Sequence, residues 1–157
     1  MSDLMVFVHT VAPLIGVFDR LGGELLPDVR RMHVLDEPLL ERVRQRGRLA
    51  PEDSDRLRSH VAAAGQVGAG IVLVTCSTVS PCVDDVRPIV DLPVLKIDEA
   101  MIREAVATGS RIGVVATNQT TLAPTRQMLQ AEASRLGKAI EVELTLVEGA
   151  LPALLGG

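Results

Sequence analysis

Hydrophobic residues follow two alternating patterns along the chain. Residues 4–8 (LMVFV) form a short continuous apolar run, which is typical of a parallel strand covered on both faces. Such runs alternate with stretches in which apolar residues recur every three or four positions, as on one face of a helix. The first pattern predicts strands at residues 4–8, 31–35, 71–74, 93–97, 112–116 and 141–147. The second predicts helices over residues 14–25, 39–43, 51–64, 102–106 and 122–136, and one after Ser80.

Strands alternating with helices predict an α/β protein with a parallel sheet, because right-handed βαβ crossovers connect parallel strands. The pattern restarts at Ile112, so we place a lobe boundary near Gly109 and Ser110. The expected architecture is two similar Rossmann-like lobes, residues 1–109 and 110–157, with the second incomplete. That lobe has two predicted strands and one complete helix, and two strands rarely form a stable sheet alone. We favour a fragment; the alternatives are completion by another chain or one sheet shared by both halves.

Composition excludes several classes of function. The 157 residues carry a net charge of −4 without a basic cluster, which argues against a nucleic-acid partner. The sequence has no run of eighteen apolar residues and no signal-peptide pattern at its start, so we expect no membrane span. Two cysteines are too few for a disulfide framework and indicate reduced thiols in a cytoplasmic protein. The absence of Trp and Tyr disfavours stacking on bases or sugars.

Candidate chemistry lies where the strands end, because ligands of open parallel sheets bind beyond the carboxyl ends of the strands. The polar residues predicted there are His9, Thr10, Asp36, Glu37, Cys76, Ser77, Thr78, Asp98, Glu99, Thr117, Asn118, Gln119, Thr120, Thr121 and Glu148. Two of these loops, at residues 76–78 and 117–121, are rich in hydroxyls and precede a helix. Their hydroxyls, backbone N–H groups and the helix N-terminus suit a carboxylate or phosphate. The first loop also places the Cys76 thiol in a field that favours its thiolate form.

Each candidate also has a structural interpretation. Cys76 could be a small buried residue that ends a strand, since unpaired cysteine is commonly buried and inert. The second loop could simply cap the following helix through Thr117, Thr120 or Thr121. A single histidine at a strand end, such as His9, is more often structural than ligand-binding.

The remaining polar residues fit structural roles better than catalytic ones. His33 and His60 lack a metal-like partner at i+4, and Cys82 has no metal spacing, so we predict no metal site and assign Cys82 to packing. The pairs Asp36-Glu37 and Asp98-Glu99 could be acid/base pairs, but such pairs more often put negative charge in the first turn of a helix. No G-x-G-x-x-G follows the first strand, which disfavours a dinucleotide-dependent dehydrogenase.

Residues 69–78 (AGIVLVTCST) resemble the first cysteine motif of the aspartate/glutamate/hydantoin racemase superfamily. Residues 112–121 (IGVVATNQTT) resemble the start of the second lobe in the same superfamily, and His9-Thr10 stands where its first substrate loop lies. The likeness runs through the whole chain in order and spacing. It implies two α/β lobes and an enzyme that needs no metal, pyridoxal phosphate or nucleotide cofactor.

The resemblance also implies roles for individual residues. Cys76 would be the first-lobe catalytic thiol. The substrate carboxylate would be held by residues near the two loops, namely His9, Thr10, Ser77, Thr78, Thr117, Asn118, Thr120 and Thr121. The substrate would be a small carboxylate such as an amino acid, and a homodimer is expected. The second cysteine of two-base racemases has no match here, since Cys82 stands elsewhere.

Three functions therefore stay open. The leading hypothesis is a cofactor-independent racemase or isomerase, in which Cys76 moves a proton at the carbon α to a carboxylate. Hydroxyls and backbone donors would stabilise the enolate-like charge. The alternatives are an arylmalonate decarboxylase-like enzyme, in which one thiol protonates an enediolate on one face, and a catalytically inactive module that binds small acids.

Overall fold

The computed structural model describes residues 3–156, so residues 1, 2 and 157 of the predicted lobes lie outside the described residues. The strands are β1 (Leu4–His9), β2 (Arg30–Leu35), β3 (Ile71–Val74), β4 (Val94–Lys96), β5 (Arg111–Ala116) and β6 (Glu141–Leu146). The helices are α1 (Pro13–Leu25), α2 (Glu37–Arg46), α3 (Pro51–Gln66), α4 (Ser80–Val86), α5 (Glu99–Thr108), α6 (Gln119–Arg135) and α7 (Ala150–Gly156). Every strand and helix predicted from the hydrophobic pattern is present.

Proline and glycine set several of these boundaries. Pro51 stands in the first turn of α3, where its missing N–H costs no helical hydrogen bond. Gly47 follows α2 with a φ of 76°, a left-handed conformation that closes a helix and that glycine adopts without strain. Gly68, with a φ of 80°, turns the chain after α3 towards β3. Gly68 therefore serves the turn between the end of α3 and the start of β3.

The first sheet has the strand order β2-β1-β3-β4, and all its pairs are parallel. The chain moves outward from β1 to β2 and then returns across β1 to β3. Because the crossovers are right-handed, this reversal puts α1 on one face of the sheet and α2, α3 and α4 on the other. The reversal lies between β1 and β3, which is the position where sheets of this kind bind ligands.

The core of the first unit lies on the face covered by α2, α3 and α4. Val6 and Val8 point to this face from β1, and Leu57 of α3 packs against it with no exposed surface. The opposite face of β1 carries Phe7 and His9, which contact Phe18 of α1. Both faces of the central strand are therefore covered, which explains why its sequence is apolar without alternation.

The second unit is built on the parallel pair β5 and β6. One face of this pair, including Ile112 and Val142, packs against Val106 of α5 and Leu129 of α6. On the other face Val115 is 70% exposed. Lys138 closes α5 by donating to the carbonyls of Val106 and Ala107, so that backbone acceptors at the helix end are satisfied.

Contacts divide the chain into two compact units at Ile97 and Asp98. The predicted lobe boundary near Gly109 and Ser110 lies at the other end of α5. Helix α5 falls in the second unit because its Ile102 and Val106 share a buried cluster with α6. The division into lobes at residues 109 and 110 stays a prediction. None of the helices among residues 3–156 combines the length and apolar character that crossing a bilayer requires.

Replacement of Leu57 by Ala should destabilise the protein by about 2–5 kcal/mol, because it removes buried methyl groups and leaves a cavity. Urea unfolding followed by circular dichroism measures this loss. Leu25 is the matched control, since its side chain is 74% exposed and Leu25→Ala should change stability by less than about 0.5 kcal/mol. Equal effects of the two substitutions would contradict this description of the core.

Candidate active site

The carboxyl ends of β1 and β3 meet at the reversal of strand order. The two strands are held in register through Val8 and Val74, and the Thr75 amide donates to the Val8 carbonyl at 3.0 Å. The chain segments that leave the sheet here are His9-Thr10 and Cys76-Ser77-Thr78. Two of the predicted groups of site residues are thus brought to neighbouring strand ends of one sheet.

Cys76 is the first residue of the turn between β3 and α4. Its side chain is half-buried, and it borders the main core without being enclosed by it. Its carbonyl accepts hydrogen bonds from the Val79 amide at 3.2 Å and from the Ser80 hydroxyl at 3.3 Å. Ser77 is also half-buried, whereas Thr78 is buried. The turn is therefore internally braced, and its thiol retains access to solvent.

Cys82 lies on α4 and is 2% exposed, as expected of a packing residue. Burial raises the pKa of its thiol, and the nearby carboxylates of Asp53 and Asp85 act in the same direction. A thiol with a raised pKa is a poor nucleophile and a poor proton acceptor at neutral pH. The two cysteines of the chain thus differ in burial, since Cys76 is half-buried and Cys82 is buried.

Thr10 follows β1 and precedes α1. Its side chain is 2% exposed, and its hydroxyl has no hydrogen-bond partner among the described residues. An unpaired buried hydroxyl is costly, so such a group usually has a partner that is bound from outside. The N-terminus of the 13-residue helix α1 lies directly after it and adds partial positive charge. This strand end therefore suits an anionic oxygen.

His9 stands at the end of β1 and has no exposed surface. Its Nδ1 lies 2.8 Å from the Thr75 hydroxyl and its Nε2 lies 2.9 Å from Nδ1 of His33. Both nitrogens of the ring are therefore engaged within the protein. Burial, together with the neighbouring His33 ring, lowers the pKa of His9 to about 4, so the ring is neutral at pH 7. A direct ligand contact by His9 stays a prediction.

Asp36 at the end of β2 is a structural acid. It caps α2 by accepting from the Leu39 amide at 3.1 Å, and Arg56 contacts both of its carboxylate oxygens at 2.6 and 2.8 Å. His60 lies 2.6 Å from the same carboxylate. Burial alone would raise the pKa of this carboxyl, but the hydrogen bonds from Arg56 and His60 hold it below its ordinary value. This geometry supports the structural interpretation of Asp36, in which its negative charge stabilises the start of a helix.

The hydroxyl-rich loop of the second unit follows β5. Asn118 caps α6, because its side-chain oxygen accepts from the Thr120 amide at 3.3 Å. The prediction that Thr117, Thr120 or Thr121 caps this helix is wrong, because α6 begins at Gln119. Thr117 is exposed, and Thr120 and Thr121 are half-buried. A ligand role for the loop stays a prediction.

Among residues 3–156, no group of three or more His, Cys, Asp or Glu side chains is arranged to hold a metal ion. The nearest histidines, His9 and His33, are bonded to each other rather than aimed at a common point.

Comparison with known proteins identifies the family. A model of the Asp/Glu/Hydantoin racemase family matches residues 11–149, which is most of the chain. The chain belongs to this racemase family. A search of curated proteins gives no match.

A solved structure agrees with this family membership. The glutamate racemase from Aquifex pyrophilus superimposes with a TM-score of 0.59 at 20% sequence identity. The match covers 98% of the present chain and 60% of that structure, so this racemase-family chain spans about three fifths of the other protein's length. At this identity the likeness establishes the fold. It confirms the predicted fold class of parallel α/β lobes, of which the second is incomplete relative to that structure.

Sequence reasoning missed the partner of His9. His33 is on β2, and the pairing of Phe7 with His33 puts its ring on the same sheet face as His9. The available signal was a pair of histidines on two predicted strands, both on the sheet face that carries Phe7. That signal depends on strand order and register, which hydrophobic periodicity does not supply. The search for a metal spacing within one helix could not find this pair.

The burial of neutral His9 makes stability depend on pH in a defined direction. Because the pKa of His9 is lowered to about 4, the unfolded chain binds more protons than the folded one between about pH 6.5 and pH 4. The stabilising contribution is complete above the unfolded value and is lost as the pH falls. We expect stability to decrease by about 2–3 kcal/mol from pH 7.5 to 4.5 through this residue.

Urea unfolding at a series of pH values measures this decrease, with His9→Gln as the comparison. The Gln variant retains an amide of similar reach but does not titrate, so its stability should change less over the same range. An equal loss of stability with falling pH in the two proteins would show that His9 is not the source of the decrease.

Proposed function

We propose that the chain supplies the first catalytic thiol of a cofactor-independent racemase or isomerase that acts at the carbon α to a carboxylate. The observation that carries this proposal is the position of Cys76, a half-buried thiol at the strand-order reversal. The unpartnered hydroxyl of Thr10 stands at the end of the neighbouring strand. A thiol that can move a proton and a hydroxyl that can donate a hydrogen bond to an anion thus stand at the ends of neighbouring strands. The proposed chemistry requires both groups.

The proposed reaction begins with Cys76 as a thiolate. The sulfur forms an S–H bond with the α-hydrogen, the C–H bond breaks, and its electron pair moves onto the carboxylate to give an enediolate. Return of a proton from the thiol, or delivery of a proton to the opposite face by a second acid, regenerates the C–H bond. Carbon acids are weak, so donors to the enediolate oxygens must lower the barrier substantially. No oxidant, metal or further cofactor enters this proton balance.

Binding of the carboxylate is assigned to neutral donors. Thr10 is the leading residue because its buried hydroxyl has no hydrogen-bond partner among the described residues. The proposal retains Ser77 and Thr78 in the cysteine turn. It also retains the residues that the family resemblance implies, which are Thr117, Asn118, Thr120 and Thr121. His9 is assigned an indirect role through Thr75, because both its ring nitrogens are bonded internally.

A second candidate function follows from Cys82. Because this thiol is buried and its pKa is raised, it is unsuited to serve as a second base beside Cys76. With one active thiol, the same site would protonate an enediolate on a single face, as in an arylmalonate decarboxylase-like reaction. A module that binds small acids without turnover has the same binding residues and no need for the thiolate.

The substrate class is a small carboxylate, and glutamate is the first probe because the superimposed structure is a glutamate racemase. Self-association as a homodimer is part of the proposal. The substrate class and the homodimer are both proposals for this chain, since the match covers 60% of the relative's length.

Replacement of Cys76 by Ala should abolish exchange of the α-hydrogen while leaving binding of the acid intact. The measurement is deuterium incorporation from D₂O into glutamate, aspartate, hydantoins and malonates, read by mass spectrometry. We expect exchange in the wild-type protein and a loss of at least about a hundredfold in Cys76→Ala. Thermal stabilisation by the same acid should persist in the variant.

Cys82→Ala is the matched control, because it removes a buried thiol that the proposed reaction does not use. It should retain the exchange activity at the wild-type level per folded molecule. Stabilisation by an acid without exchange in any of the three proteins would favour the binding module. Exchange that survives in Cys76→Ala would contradict the assignment of the thiol.

A further inference from the structure

A row of polar side chains crosses the face of the first sheet that α1 covers. His33 Nδ1 lies 2.9 Å from His9 Nε2, and His9 Nδ1 lies 2.8 Å from the Thr75 hydroxyl. At the other end, His33 Nε2 lies 3.6 Å from the Asp19 carboxylate of α1. We call Asp19, His33, His9 and Thr75 the histidine relay. Phe7 and Phe18 pack against its two rings and exclude water from their faces.

The hydrogen-bond pattern fixes where the protons of the histidine relay are. The Thr75 hydroxyl donates its hydrogen to the Val8 carbonyl at 3.1 Å, so it must accept from His9. His9 therefore carries its proton on Nδ1, and because the ring is neutral its Nε2 is an acceptor. His33 must then donate from Nδ1. The other ring nitrogen of His33, Nε2, is buried and has no hydrogen-bond partner among the described residues.

Charged groups lie on the Nε2 side of the His33 ring. Asp19 faces it from α1, and Arg31 of β2 donates to the same carboxylate at 3.2 Å. Hydrogen bonding from Arg31 lowers the pKa of Asp19, so this carboxyl stays ionised at neutral pH. His9 faces His33 from β1 as a neutral acceptor. The His33 ring is thus held between the Asp19 carboxylate and the His9 ring.

Thr75 connects the histidine relay to the cysteine turn. Its amide and its hydroxyl both donate to the Val8 carbonyl, at 3.0 and 3.1 Å, and Cys76 is the next residue. The Cys76 carbonyl in turn accepts from Val79 and Ser80. The hydrogen bond from His33 fixes the His9 tautomer that donates to the Thr75 hydroxyl, and that hydroxyl in turn donates to the Val8 carbonyl.

We propose that His33 is a positioning residue for the Cys76 turn, because its hydrogen bond to His9 fixes the ring that holds the Thr75 hydroxyl. The catalytic meaning of this relay rests on the proposed function, whereas its effect on the turn can be measured without turnover. In this proposal His33 acts through His9 and Thr75 and not by contact with the thiol.

Nitrogen-15 spectra of the histidine rings test the proton positions in the full chain. We expect His9 to bear its proton on Nδ1 and to stay neutral from pH 8 to pH 5.5. His33 should bear a proton on Nδ1, from which it donates to His9 Nε2, throughout that window. A His9 ring protonated on Nε2, or a charged His9 at pH 6, would overturn the relay.

Two substitutions of His33 test the effect on the turn. Asn carries an N–H close to the position of histidine Nδ1, whereas Leu has similar volume and no donor. Amide hydrogen exchange at Thr75 and Val79 is the readout, and the Gly70 amide, which bonds Leu4 at the other end of β3, is the internal control. We expect His33→Leu to speed exchange at Thr75 and Val79 about tenfold, the loss typical of one intramolecular hydrogen bond. His33→Asn should stay within about twofold of wild type, and Gly70 should not change.

The nitrogen-15 spectra supply the second arm of the test and do not need a substitution to fold. Equal exchange rates at Thr75 in His33→Leu and His33→Asn would overturn the proposal. Failure of deuterium exchange into substrates would leave these measurements unaffected and would count against the proposed function alone.

Discussion

The parallel pairing of β1 with β3 is the constraint on which the rest of the first unit depends. Because the strand order reverses at this pair, the segments after Val8 and Val74 leave the sheet at one edge and open towards the same space. The Val8 carbonyl accepts from both donors of Thr75 and so ties the cysteine turn to the end of β1. Separation of these strand ends would remove Cys76 from Thr10 and would also break the contact between His9 and Thr75.

The two faces of β1 serve different purposes. Val6 and Val8 contribute to an apolar core, whose stability comes from burial. On the other face His9 brings a polar ring into the interior, where it is tolerated because both nitrogens have partners. Buried polar chains of this kind specify one arrangement of side chains and are sensitive to the protonation of any member. We infer that the α1 face holds the polar side chains whose hydrogen bonds can change, whereas the opposite face holds a rigid apolar core.

The fold was largely predictable from the sequence, whereas the contacts within the site were not. Strand positions follow from local patterns, and Cys76 is predicted as the site thiol because a thiol and hydroxyls follow a strongly apolar run. The His9–His33 pair and the cluster of Asp36 with Arg56 and His60 join residues more than twenty positions apart, so they depend on register and crossover direction. The cap of α6 was misassigned to threonines because three hydroxyls surround Asn118, and the backbone conformation alone decides among neighbouring cap candidates.

The most direct test of the central claim is the rate at which iodoacetamide modifies each thiol of the native protein, with and without malonate as a small carboxylate. Peptide mass spectrometry separates the two sites. Cys76 should react while Cys82 does not, and malonate at ten times its dissociation constant should slow the reaction of Cys76 about tenfold. A Cys76 that reacts only after unfolding, or at a rate that saturating malonate leaves unchanged, would contradict an acid-binding site at this thiol.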